Sequence, residues 1–321
     1  MKKWNVLVIG AGNIASDYDD MCRNEILSHA HAISVSNYFE LLGFYDLDYE
    51  KARRAAKKWN TKAFMSLEGL DQETDIVCCA VPDEYHYDIL KEIMGWNSLS
   101  AVICEKPLAK KIADGKNILD LYTAKRIPLF INYSRRFLQA FQKAKEWINY
   151  NAGELIVGNC FYGKGTIHNS SHLVNLFQFL LGRLEIDSVG ECVNDFFDDD
   201  VSRQFVLKHS NKKIYFHPIP CYDVTIFEFD LMFINGRMRY SDEKRQIEYY
   251  NVAESSIYRG EQNYVLTRVV DLDSSAAMQG LYDNIRLFLC KEEKVLSDVF
   301  SAYETLNICD KIVRGEVCNC E

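Results

Sequence analysis

The chain has 321 residues, 48% of them hydrophobic, which is enough for about two domain cores, and a net charge of −9. That balance leaves no general basic field and excludes nucleic acid as a partner. No apolar run approaches the roughly 18 residues that span a bilayer, and the stretch after the first lysines breaks at Gly10 instead of a cleavage site. A cytoplasmic address without membrane contact is expected. The eleven cysteines are odd in number and form no paired CxxC; Cys78, Cys79, Cys104, Cys290 and Cys309 sit in apolar runs and read as buried free thiols. No metal site is expected, since the tail cysteines Cys318 and Cys320 have no partner ligands nearby.

In chain order, "VLVIGAGNIAS" comes first: an apolar strand running into Gly10-Ala11-Gly12-Asn13-Ile14-Ala15. This fits GxGxxA, in which the first glycine permits the turn, the second lets a pyrophosphate approach, and the small third residue packs helix on strand. A helix starting there would offer free N–H groups to phosphate. "SDYDDMCRNEILSH" reads as a loop inserted early in the first crossover. Asp46 closes the next strand, "LLGFYD", later than the usual interval of about twenty residues. Its carboxylate suits the ribose hydroxyls of NAD and repels the 2′-phosphate of NADP, although capping of the following helix is the competing role.

Strands over 5–9, 40–46, 76–81, 101–104 and 128–131 alternate with helical stretches such as "DYEKARRAAKKWN" and "EYHYDILKEIM", which predicts a doubly wound parallel sheet over residues 1–132. The fold class is α/β, with an N-terminal Rossmann dinucleotide-binding domain. Residues 133–321 read as an α+β domain for substrate binding and oligomerisation. It has helices near 135–150 and 171–181, a large, mostly antiparallel open sheet, hairpin turns at Asn235–Gly236 and Ser210–Lys213, and helices near 275–290 and 298–313.

Three stretches fall at predicted strand ends: "AVPDEYH", "CEKPL" and "NYSRRF". With "GAGNIA" and "HNSSHLVNLFQFLLG" they resemble the glucose-fructose oxidoreductase/inositol dehydrogenase family, Gfo/Idh/MocA, over most of the chain. The resemblance implies a nicotinamide-dependent oxidoreductase acting on a secondary alcohol of a sugar, a sugar derivative such as a nucleotide sugar, or a cyclitol. It places Glu105 and Lys106 beside the nicotinamide, Pro82 and His86 at the cofactor, and His172 at the signature histidine. Histidine titrates nearest neutrality and suits the proton acceptor, while Lys106 suits polarisation of the reacting oxygen. Arg136 is expected at the cofactor, and Asn132, Arg135, Lys164 and Asn175 at the substrate.

The signature departs from the family at three places, one of them Ser170 where glycine is common. His168 and Asn175 stand where aspartates are usual, so an aspartate-assisted relay cannot be assumed and His168 is a candidate proton carrier. The missing carboxylates also keep open a catalytically impaired, dinucleotide-binding sensor. The family usually covers its open sheet by oligomerising, which implies a homodimer or homotetramer.

Overall fold

The computed structural model describes residues 3–220 and 224–316; Cys318 and Cys320 lie outside the described residues. Contacts divide the chain into two compact units, residues 1–137 with 275–306 and residues 138–274 with 307–321.

The first unit is a six-stranded sheet in the order β3-β2-β1-β4-β5-β6. Its strands are β1 (Trp4–Ile9), β2 (Phe39–Tyr45), β3 (Lys62–Phe64), β4 (Ile76–Cys79), β5 (Ala101–Cys104) and β6 (Leu129–Ile131), all paired in parallel. Helices α1 (His29–Ser34), α2 (Tyr49–Lys58), α3 (His86–Ile93) and α4 (Ile112–Lys125) connect them. Because side chains alternate along a strand, a sheet covered on both faces needs apolar residues at every position. Val6, Val8, Ile76, Cys78 and Ile103 fill one core, and Leu7, Ile9, Val77, Cys79 and Val102 fill the other.

The helix expected to rise from the glycine loop is absent. In its place stands a single π-helical turn, Asn13–Asp17, followed by irregular chain to Ser28. Asp19 organises that insertion by accepting the backbone N–H of Leu27 at 2.5 Å and of Ser28 at 3.1 Å and facing His31 Nδ1 at 2.8 Å. Burial would raise its carboxyl, but these bonds outweigh burial and hold it below the usual value. With only the six-residue α1 in this crossover, the face is completed by α7 (Ala276–Leu289), which adds Met278, Leu281, Tyr282 and Ile285. The opposite face receives Val299, Ala302 and Leu306 from the start of α8 (Val299–Arg314). Residues 275–306 therefore pack with the first unit, whereas a boundary near 132 assigns them to the second.

The second unit holds α5 (Gln139–Trp147), β7 (Leu155–Tyr162), α6 (Ser171–Leu181), β8 (Glu185–Val193), β9 (Ser202–His209), β10 (Lys212–Pro218), β11 (Phe227–Phe233), β12 (Gly236–Ser241), β13 (Gln246–Glu254) and β14 (Gln262–Asp271). Its eight-stranded sheet runs β14-β13-β12-β11-β7-β10-β9-β8, antiparallel except for the β7–β10 pair. In β11, Phe227, Phe229, Leu231 and Phe233 are buried while Glu228, Asp230 and Met232 turn to the other face. Phe177 of α6 sets its ring against Phe216 and Phe229, fixing the helix on the sheet. Among the described residues no helix is long and apolar enough to cross a membrane.

Candidate functional site

In the first unit a cleft of about 530 Å³ opens at the carboxyl ends of β1, β2 and β4, lined by Gly10, Gly12, Asp46, Val81 and Pro82 among others. This is the topological switch point, where β1 lies between β2 and β4. Gly10 has φ +98°, and a Cβ there would meet the Ala80 carbonyl oxygen at 2.5 Å, so the turn admits only glycine. Gly12 differs: its backbone is extended at φ −88°, and an added Cβ meets nothing within 4 Å. Its missing side chain leaves open space at the cleft. Asp46 is fixed at the lip, Oδ2 accepting the Ala11 N–H at 2.8 Å and Oδ1 the Asp48 N–H at 2.9 Å. Capping of α2 belongs to Asp48, which accepts the Glu50 N–H. Asn13 is exposed and Ile14 half-buried in the π turn. A close-approach glycine, a carboxylate at the next strand end and apolar walls fit a dinucleotide.

At the end of β5, Glu105 anchors a buried network that the sequence did not announce. Its Oε1 accepts from Asn132 Nδ2 at 2.7 Å and faces His29 Nε2 at 2.9 Å, and His29 Nδ1 faces the Tyr282 hydroxyl at 3.1 Å. Burial opposes charge on both partners. Hydrogen bonding and charge from His29, with Asn132 and Lys106, nevertheless hold the Glu105 carboxyl below its usual value, and Cys78 and Glu105 raise His29 to about 10. When protonated, the ring donates from Nε2 to the carboxylate and from Nδ1 to the phenol oxygen. Asn132, expected to meet substrate, instead orients Glu105 and is 4% exposed. Lys106 is half-buried and joined to Pro107 by a cis peptide bond.

Two expected cofactor residues are placed otherwise. His86 is fully buried, Nδ1 facing the Pro107 carbonyl at 2.8 Å and Nε2 the Val81 carbonyl at 3.0 Å. It braces the strand ends beneath Pro82 and presents no nitrogen to a ligand. Arg136 is 5% exposed and donates to the Leu296 carbonyl at 3.0 Å, with burial pushing its guanidinium down to about 10. It therefore ties the turn after β6 to the chain before α8. Arg135, beside it in the turn Ser134–Phe137, is half-buried. Donor atoms of Cys79, His86 and Cys104 lie within 4.8 Å of one another. The His86 nitrogens face carbonyls and burial pushes the Cys104 thiol up, so this donor set does not suit a metal.

The second unit carries the signature helix. His168 lies in a π turn, Thr166–Ser170, leading into α6, and its Nδ1 faces Asp200 Oδ2 at 2.8 Å. Asp200 is 2% exposed and also accepts the backbone N–H groups of Thr166, Ile167 and His168 at 2.8–3.0 Å. Gly165, at φ +91°, makes room for that carboxylate, since a Cβ there would collide with it. The His168 ring stacks on Phe197 with centroids 4.3 Å apart. His172 is half-buried with its ring edge-on to Phe227. Asn175, expected at the substrate, is fully buried on α6. Lys164 Nζ donates to Thr225 Oγ1 at 2.7 Å and lies over the Phe196 ring. Asp200 ends the acidic run Asp198–Asp200 and carries no motif; only the fold brings it to His168.

Residues 4–133 match the family described as oxidoreductase family, NAD-binding Rossmann fold. An uncharacterized oxidoreductase of Schizosaccharomyces pombe is 30% identical over 129 residues, 38% of this chain and 34% of its own length. Glucose-6-phosphate 3-dehydrogenase of Bacillus subtilis is 26% identical over 151 residues, 47% of this chain and 39% of its own. The chain thus spans between a third and two fifths of the length of these relatives. A levoglucosan dehydrogenase solved with NADH and levoglucosan superposes with a TM-score of 0.77 at 14% identity, covering 98% of this chain and 97% of that one, and so shares the fold.

Proposed function

We propose, from the membership of residues 4–133 in the Gfo/Idh/MocA oxidoreductase family, that the chain is an NAD-dependent dehydrogenase or reductase. Its substrate is a secondary alcohol of a sugar, a sugar derivative such as a nucleotide sugar, or a cyclitol. The observation that carries this reading is the placement of the cleft and of Glu105-Lys106 at the carboxyl ends of neighbouring strands of one sheet. The names of the glucose-6-phosphate and levoglucosan dehydrogenases support the substrate class.

Gly10 and Gly12 hold the pyrophosphate, and Asp46 holds the ribose hydroxyls and disfavours a 2′-phosphate. Bound nicotinamide supplies a hydride acceptor or donor. Lys106 polarises the alcohol or carbonyl oxygen, and the histidines of the signature helix exchange its proton. The open sheet of the second unit is covered by a second copy of the chain.

Two results test these roles. Asp46→Ala removes a charged acceptor and is expected to weaken NADH binding about 10-fold while narrowing the preference for NADH over NADPH, read by fluorescence titration. An unchanged preference would remove Asp46 from cofactor choice. Lys106→Met is expected to lower kcat about 10²-fold with little change in NADH affinity; activity at the wild-type level would contradict the catalytic role of Lys106. The carboxylate that Asp200 brings to His168 favours an enzyme over a sensor that has lost catalysis.

A further inference from the structure

We infer that Asp200 is a positioning residue that fixes His168 in its Nδ1–H tautomer and thereby makes Nε2 the atom that exchanges a proton with the substrate hydroxyl. The inference rests on the dehydrogenase reading. It supplies from a distant part of the chain the carboxylate that the signature helix lacks in its own sequence.

An ionised carboxylate only accepts hydrogen bonds, so the 2.8 Å contact between Asp200 Oδ2 and His168 Nδ1 requires the proton to sit on Nδ1. In the neutral ring the lone pair then lies on Nε2. Three features hold this arrangement. Asp200 is anchored by the N–H groups of Thr166, Ile167 and His168, so its oxygens do not rotate away. Gly165 has no side chain where the carboxylate packs. Phe197, stacked on the imidazole, fixes the plane of the ring. The Asp200 side chain is 2% exposed and that of His168 32%, so the carboxylate is shielded while the ring keeps an exposed edge.

In the oxidising direction the substrate O–H bond breaks and its proton forms the Nε2–H bond. The electron pair left on oxygen would close the carbonyl, with the oxidised dinucleotide supplying the hydride acceptor when bound. The imidazolium so formed lies against Asp200, whose charge stabilises it. Reduction runs the same steps backwards.

The test uses the full chain with 15N-labelled histidine, the His168 resonance being assigned by its loss in His168→Gln. Long-range proton–nitrogen spectra of the neutral ring are expected to show Nδ1 protonated and Nε2 unprotonated. In Asp200→Asn the tautomers are expected to mix, and kcat to fall about 10²-fold while NADH affinity holds. Because Asp200 also caps the helix start, Asp200→Asn can unfold it; His168→Gln leaves those backbone bonds in place and is expected to lose kcat to a similar degree. A dominant Nε2–H tautomer in the wild-type protein overturns the inference, as does His168→Gln turning over at the wild-type rate. Failure of the wild-type protein to oxidise or reduce any alcohol of the proposed class, with NADH binding intact, overturns the dehydrogenase reading and this role with it.

Discussion

Gly12→Val is expected to leave the protein folded and to weaken NADH binding about 10³-fold, equivalent to roughly 4 kcal/mol. The backbone at Gly12 is extended and no atom lies within 4 Å of the added Cβ, so neither backbone strain nor a collision at Cβ opposes the substitution. The side chain instead fills the cleft where the pyrophosphate approaches the loop. A melting temperature within a few degrees of wild type, together with lost binding, is the expected pair of results. Gly10→Ala is the contrasting control, since its positive φ and the Ala80 carbonyl make even a methyl group costly to the fold. A Gly12→Val protein that binds NADH as tightly as wild type would show that the cleft holds no dinucleotide.

His29→Leu is expected to destabilise the first unit by about 3–5 kcal/mol, because it leaves the Glu105 carboxylate buried without its cation. A fall in melting temperature on the order of 10 °C follows for a unit of this size. The pH dependence of the wild-type protein carries the same signature. His29 is raised from 6.5 to about 10, so its contribution is full below its unfolded value and lost as pH rises through about 10. Glu105 is lowered from 4.5, so its contribution is present above that value and lost as pH falls through the lowered one. Between these limits the pair holds. Without His29, burial pushes the Glu105 carboxyl up, and the variant is expected to lose stability as pH rises through that raised value. Thermal melts from acid to alkaline pH read both effects. A His29→Leu protein as stable as wild type at neutral pH would show that the pair is not the buried ion pair described here.

The first sheet was legible because parallel strands covered on both faces leave uninterrupted apolar runs, as in Ile76–Cys79 and Ala101–Cys104. The three-residue β3 gives too short a run to register, and β14, exposed along most of its length, lacks the buried alternation that marks a half-covered strand. The glycine motif located the cleft correctly but not the helix after it, because Asp19 and its N–H partners stabilise an insertion that replaces most of that helix. Residue types chosen from local motifs fared unevenly for the same reason. His86 and Arg136 carry groups that suit a cofactor, yet backbone carbonyls that no motif predicts take them up. Conversely, His29, Tyr282 and Asp200 belong to no recognisable pattern. Their partners are far away in sequence, as with His29 and Tyr282 across 253 residues, and only packing brings them together.

The proposed reaction is hydride transfer between nicotinamide and a sugar-like alcohol. Its most direct test is the near-ultraviolet absorbance of reduced nicotinamide when the protein and NAD meet a panel of sugars, nucleotide sugars and cyclitols, with the corresponding ketones and NADH run in reverse. A substrate-dependent change that Lys106→Met lowers about 10²-fold is the predicted result. NADH bound tightly with no change across the panel in either direction would contradict the claim and leave a dinucleotide-binding protein without this chemistry.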